Sequence, residues 1–353
     1  VEKIDHRFKT LAVVSAHNTD GKIKIIKYED NGFFLPVVND ILSTGLSGTT
    51  GILTKTNDEA LQITGLLLKH RMPAKLIQSN NWFNLFDLDE IRSFIRDLNL
   101  KDGQPKISDE DWKNAKRQFI NRYKQSSNYK LVKNILVDFQ ETNPKNKYIS
   151  DFETFIKESK LEDFNDQQGE TLIVSTIHKA KGKEFDNVIL MLDDFNTNSD
   201  DAKRQLYVAM TRAKENLTIH YNGNFLDNII TDNIQRITIS EPSTDPDFLV
   251  YNLTHKDINL GYFSVIQKRV TTLKSGDKLE INEDGLMNSD KKQIVKFSKS
   301  FQNIRVSLER RGYQLTESKI RFILFWQYKN EEKGETREIK IVLPELYFKT
   351  QNK

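Results

Sequence analysis

The chain has 353 residues, of which 37% are apolar and 29% charged, a balance that supports packed cores under a solvated surface and argues against global disorder; at roughly 150 residues per domain it predicts two to three domains. Lys and Arg number 53 against 50 Asp and Glu, so the net charge is only +3 and any nucleic-acid footprint has to be local. Cysteine is absent, which excludes disulfides, thiolate nucleophiles and Cys-based metal centres, and no metal site is expected.

The runs 22–28 and 51–54 read as short strands alternating with helical patterns, the rhythm of a parallel α/β sheet. Before the second run, Ser43-Thr-Gly-Leu-Ser-Gly-Thr-Thr-Gly51 reads as a turn. Thr56-Asn-Asp-Glu59 is a capping box that predicts a helix to about His70, with Leu61, Thr64, Leu67 and Leu68 on one stripe, stopped by Pro73 before a strand at 74–77. From 101 to 165 the period becomes helical. Trp112, Ala115, Phe119 and Tyr123 share one face, Leu131, Ile135, Leu136 and Phe139 the next, and Ser150-Asp-Phe-Glu153 is expected to cap a third helix.

The α/β pattern returns with strands at 171–175 and 188–192, a helix over 201–214 and a strand at 217–221. After a linker at Thr244-Asp-Pro246 come β-type runs at 278–281, 294–297, 320–327 and 338–343, broken by an amphipathic helix near 300–311. The expected division is therefore an α/β domain over 1–100 and 166–240, a helical insertion over 101–165, and a basic, β-rich domain over 245–353. The longest apolar runs, such as 188–192 and 322–326, are far short of a membrane span, and no signal peptide opens the chain, so a soluble, cytoplasmic protein with no membrane partner is expected.

Two segments carry chemistry. In Thr176-Ile-His-Lys-Ala-Lys-Gly-Lys-Glu-Phe185 a buried strand ends in a polar loop, at the carboxyl end of a strand where open α/β sheets bind ligands. Thr176, His178, Lys179, Lys181 and Lys183 suit phosphate oxygens, and Gly182 allows close backbone approach. Spacing alone fits a lysine-rich surface loop with a structural His178 equally well. In Lys203-Arg-Gln-Leu-Tyr-Val-Ala-Met-Thr-Arg-Ala-Lys214, Leu206, Met210 and Ala213 fall on one helical face, extended by Tyr207, while Arg204 and Arg212 project elsewhere. An arginine so presented can neutralise charge on a transferring phosphoryl group, although an arginine on an exposed helix face, taken alone, is more often a solvated side chain.

In this order the two segments resemble motifs V and VI of superfamily 1 DNA helicases of the UvrD/Rep type. The first is similar to T-x-H-x-x-K-G-x-E-F/W, and Arg204-Gln-Leu-Tyr-Val-Ala-Met-Thr-Arg-Ala213 to the Tyr-Val-(Ala/Gly)-x-Thr-Arg-Ala core. Gly51-Ile-Leu-Thr-Lys-Thr-Asn57 is similar to the family's strand and R-T-N segment, with Lys55 in place of Arg.

The resemblance implies a RecA-like second motor domain (2A), split by a short helical insertion in the place of subdomain 2B. It implies ATP and Mg²⁺ as cofactors, single-stranded DNA or a single/double-strand junction as partner, and 3′ to 5′ translocation. Arg212 would be the arginine finger to the γ-phosphate, Glu184 would contact the ribose, and Arg204 would support the ATP cleft. Thr176, His178, Lys179, Lys181, Gly182 and Lys183 would meet the DNA backbone. Trp82 and Phe83 read as base-stacking candidates, with core packing the stronger alternative.

The chain has no G-x-x-x-x-G-K-[ST] loop, and Asp5-His-Arg-Phe8 is a poor match to the family's Asn-Tyr-Arg-Ser. The expectation is thus the C-terminal part of a longer DNA-repair helicase, inactive alone, whose N-terminal motor domain holds ATP and Mg²⁺ and whose residues 245–353 recruit DNA or a protein. The alternative is a catalytically inactive helicase-like module that binds DNA or scaffolds a repair complex; Arg212 and Glu184 weigh against it.

Overall fold

The computed structural model describes residues 21–45, 47–72, 74–77, 83–101, 103–164, 172–229, 234–241, 246–330 and 335–350. Asp5–Phe8, Trp82, Thr244 and Asp245 lie outside them. The chain divides into two compact units, one of residues 1–78 and 167–249, the other of residues 79–166 and 250–353.

The first unit is a RecA-like α/β layer built on seven strands: β1 (Lys22–Tyr28), β2 (Thr50–Thr54), β3 (Lys75–Ile77), β4 (Leu172–Thr176), β5 (Phe185–Leu192), β6 (Ala213–Asn222) and β7 (Ile234–Ile239). They lie in the order β3-β4-β2-β5-β6-β1-β7, and every pair is parallel. Because side chains alternate along a strand, each strand supplies both faces. Ile26, Ile52, Ile189 and Met191 join one core with α1 (Phe34–Ser43) and α2 (Asn57–Lys69). Ile25, Leu53, Val188 and Leu190 join the other, under α3 (Asp200–Met210).

Thr56 and Glu59 form the expected capping box of α2. Leu61, Thr64 and Leu67 are buried, but Leu68 is 56% exposed and leaves the stripe. On the first face, His220 is fully buried, its Nδ1 2.9 Å from the Tyr28 hydroxyl and its Nε2 3.4 Å from Asp40, which also pairs with Lys24 at 2.5 Å. Burial pushes the His220 pKa down. Burial also raises that of Asp40, but His220 and Lys24 outweigh it and bring the carboxyl down to about 2.

The second unit combines helices with a six-stranded sheet. Phe94, Trp112, Phe139 and Phe152 form an aromatic core between helices Asp89–Asp97, Asp109–Tyr123, Tyr129–Thr142 and Ile149–Glu158. The last of these starts at Ile149 with Tyr148 as its N-cap, so Ser150 lies inside the helix instead of capping it. The sheet runs in the order Phe248–Asn252, Glu335–Thr350, Tyr313–Asn330, Lys278–Ile281, Gly285–Met287, Gln293–Lys296, and its centre is one long antiparallel hairpin. Phe297, Phe301, Tyr313 and Phe322 are buried, so these aromatics build the core.

Helices and sheet interlock within this unit. Phe83 packs on Phe322 at 5.2 Å between ring centroids, Arg92 pairs with Glu338 at 2.8 Å, and the Ser127 amide donates to the Ser275 carbonyl. No helix among the described residues is long and apolar enough to cross a membrane.

Candidate functional site

β4 delivers the loop 177–184 from the carboxyl edge of the sheet. Its residues alternate between anchors and displayed groups. Thr176, Ile177, Ala180 and Phe185 are buried, whereas His178, Lys181, Gly182, Lys183 and Glu184 are exposed. Ile177 and Ala180 pack in the core beneath α3, so a one-turn 3₁₀ helix over Ile177–Ala180 is pinned from below. The Lys183 amide then donates to the Ala180 carbonyl at 3.0 Å.

Gly182 has φ +83°, and a Cβ there would meet nothing within 4 Å. Its requirement is therefore the left-handed turn and not the close approach of a neighbour. From there the chain descends across the sheet to start β5 at Phe185, level with Ala213 at the opposite edge.

Lys179 is tied down: its Nζ donates to Asn57 Oδ1 at 2.9 Å, joining the loop to the first turn of α2. Lys55 likewise donates to the Asp194 carbonyl at 3.0 Å. Glu59 Oε2 accepts the Lys55 and Thr56 amides, each at 2.8 Å. Burial raises the Glu59 pKa, partly offset by those amides. The 55–57 segment and the loop thus meet at one edge. The signal for Asn57 in the sequence was the capping box that fixes where α2 begins.

Arg212 does not lie on the helix. α3 ends at Met210, Thr211 is its C-cap, and β6 begins at Ala213, so the helix ends four residues before the expected 214. The half-buried guanidinium folds back over the helix end. Nε donates to the Val208 carbonyl at 2.9 Å, Nη1 to the Lys183 carbonyl at 3.2 Å and Nη2 to Thr211 Oγ1 at 3.3 Å. It therefore satisfies an orphan carbonyl of the last turn and also the loop that carries the lysines.

The Phe185 amide donates to the Arg212 carbonyl at 2.9 Å, so the two sequence motifs are joined by hydrogen bonds in both directions. Arg204 is exposed and pairs with Asp201 at 2.8 Å, and Lys203 pairs with Asp200 at 3.3 Å. Tyr207, expected to extend the packed face, is 38% exposed; Ala209 takes the buried position instead.

The side chains of His178, Lys181, Lys183 and Glu184 have no hydrogen-bond or ion-pair partner among the described residues. One carboxylate, one imidazole and two ammonium groups are thereby left for solvent or ligand. No cluster of three or more His, Asp or Glu able to hold a metal ion occurs among the described residues.

No curated protein matches the chain. The family model of the UvrD-like helicase C-terminal domain matches residues 99–224, a span that takes in the helical segment, the 176–185 loop and α3 with Arg212. Residues 99–224 are therefore similar to the UvrD-like helicase C-terminal domain, which supports the C-terminal part of a UvrD/Rep-type superfamily 1 helicase.

Proposed function

We propose that the chain is the second motor portion of an ATP-dependent DNA helicase or translocase, presenting His178, Lys179, Lys181, Gly182 and Lys183, above the buried Thr176 at the base of the loop, to a single-strand backbone and Arg212, Glu184 and Arg204 to ATP. The observation that carries the reading is the junction of the two motifs, in which Arg212 bonds to the Lys183 carbonyl and Phe185 to the Arg212 carbonyl. A change in the loop is thereby transmitted to the arginine, the coupling that a DNA-stimulated ATPase needs.

The donor set suits these ligands. Exposed ammonium and guanidinium groups match phosphate oxygens, and the exposed Glu184 carboxylate matches a ribose hydroxyl. ATP and Mg²⁺ would be held mainly by a first motor domain carrying the phosphate-cradling loop, and hydrolysis supplies the free energy for movement. In this reading the chain alone does not hydrolyse ATP.

The test is the salt dependence of single-strand binding. Each phosphate contact adds roughly 0.7 to the slope of log K against log salt, so Lys179→Ala/Lys181→Ala/Lys183→Ala should flatten the slope by about 2. An unchanged slope places the DNA track elsewhere.

A further inference from the structure

The glycine-rich turn before β2 is not used by the function above, yet it holds the start of β5, one side of the junction that contains Arg212. Its backbone and side chains are spent on the first three residues of β5. Asp186 Oδ2 accepts the Thr49 amide at 2.7 Å and the Thr49 hydroxyl at 2.9 Å, and the Asp186 amide returns a bond to Thr49 Oγ1 at 3.1 Å. These bonds hold the Asp186 carboxyl below its ordinary pKa. The Asn187 amide donates to the Thr49 carbonyl at 2.9 Å, and its side chain reaches the Ser47 carbonyl at 2.7 Å. Asn216 closes the set from β6, donating to Asn187 Oδ1 at 2.7 Å.

Two glycines make this fit possible. Gly48 has φ +79°, and a Cβ there would stand 2.4 Å from Asp186 Oδ2. Gly51 lies under the Phe185 ring, where a Cβ would stand 2.5 Å from Cδ2, 2.7 Å from Cε2 and 2.8 Å from Cγ. Real Cβ atoms do not approach so closely, so the ring rests directly on the glycine backbone. Phe185 is the residue whose amide bonds to the Arg212 carbonyl, two residues after the Lys183 carbonyl that receives the guanidinium.

We propose that Gly51 and the 47–51 turn are the positioning element for Arg212: they set the height of Phe185 on the sheet and, through it, the place of the arginine. This rests on the role given to Arg212 under the proposed function. A methyl group at Gly51 lifts the ring, breaks the Phe185–Arg212 bond and shifts the finger, while Lys179 stays anchored to Asn57. A shift of 1 Å in a catalytic group can cost about 10²-fold in rate.

The test uses Gly51→Ala, Phe185→Leu and the double variant, in which the smaller side chain returns the space. In the 353-residue chain, hydrogen exchange at the residue 185 amide should quicken about tenfold or more in Gly51→Ala and recover in the double variant. In the protein with both motor domains, Gly51→Ala should lower kcat for DNA-stimulated ATP hydrolysis about tenfold or more, leave KM for ATP and single-strand affinity within about twofold, and be rescued by Phe185→Leu. Wild-type exchange and kcat in Gly51→Ala would overturn the inference. So would failure of the double variant to recover while its thermal unfolding matches the wild type. If Arg212→Ala itself leaves turnover unchanged, the role of Arg212 fails, and the exchange experiment still decides whether Gly51 places it.

Discussion

Lys340 offers the sharpest test of how the second unit is held together. It lies on the strand Glu335–Thr350, and its Nζ stands 2.5 Å from Asp89 Oδ1 on the helix Asp89–Asp97. The side chains are 13% and 8% exposed, so the pair is buried. The contact is Coulombic rather than a well-directed hydrogen bond; the other oxygen, Oδ2, accepts from the Tyr123 hydroxyl at 2.9 Å. Lys340→Met keeps the apolar stem and removes the cation, leaving Asp89 as a buried charge.

Breaking one side of a buried pair costs about 3 to 5 kcal/mol, and the surviving Tyr123 bond sets the expectation at about 3. For a unit of this size that is roughly 6 to 12 °C in Tm. Trp112 and Trp326 both lie in the second unit, so urea unfolding followed by tryptophan fluorescence reports it. Asp89→Asn/Lys340→Met should recover to within about 1 kcal/mol, because no unpaired charge remains. A Lys340→Met protein as stable as the wild type, or a double variant as weak as the single, would refute the argument.

Glu90 is buried at 1% exposure with Oε1 on the Ser126 hydroxyl at 2.8 Å, and burial raises its pKa. The folded state thus holds that proton more tightly than the unfolded chain, so stability falls as pH rises from the ordinary carboxyl range toward the raised value. Glu90→Gln should remove this decline, with a gain over wild type in urea midpoint that is larger at pH 8 than at pH 5; an equal gain at both would contradict the burial argument. Asp40 behaves oppositely. With its pKa brought down to about 2, its contribution is present above its ordinary value of 3.8 and is lost as pH falls toward about 2, and Asp40→Asn should flatten that acid limb of the stability profile. Gly182→Ala should cost about 1 to 2 kcal/mol by thermal unfolding, from the left-handed φ alone, since no neighbour would be struck. A neutral result would place the residue in another backbone conformation.

Much of the first unit was legible in the sequence because its signals are local. The Thr56–Glu59 box fixes the start of α2, and the alternation of Ile25 with Ile26 and of Ile52 with Leu53 marks strands buried on both faces. The ends of elements were less legible. Nothing in the helical spacing of 201–214 marks Thr211 as a cap, because the chain leaves the helix to place Ala213 beside Phe185, a partner 28 residues away.

Tyr207 misled for a related reason, since helical periodicity admits it to the packed face while the small Ala209 is what the sheet accepts. The association of the helices with the C-terminal sheet depends on pairs such as Asp89 with Lys340, more than two hundred residues apart, for which no local pattern exists. In the site, the displayed loop was visible as hydroxyl, imidazole and lysine groups around Gly182. The bracket that ties it to Arg212 was not, because it is made by backbone carbonyls that carry no residue signature.

In the proposed function this domain supplies Arg212 to a DNA-stimulated ATPase. The direct measurement is ATP turnover with and without single-stranded DNA in the protein bearing both motor domains, comparing wild type with Arg212→Ala. Turnover should fall by about 10³-fold or more while single-strand binding is retained. Undiminished turnover in the variant would contradict it.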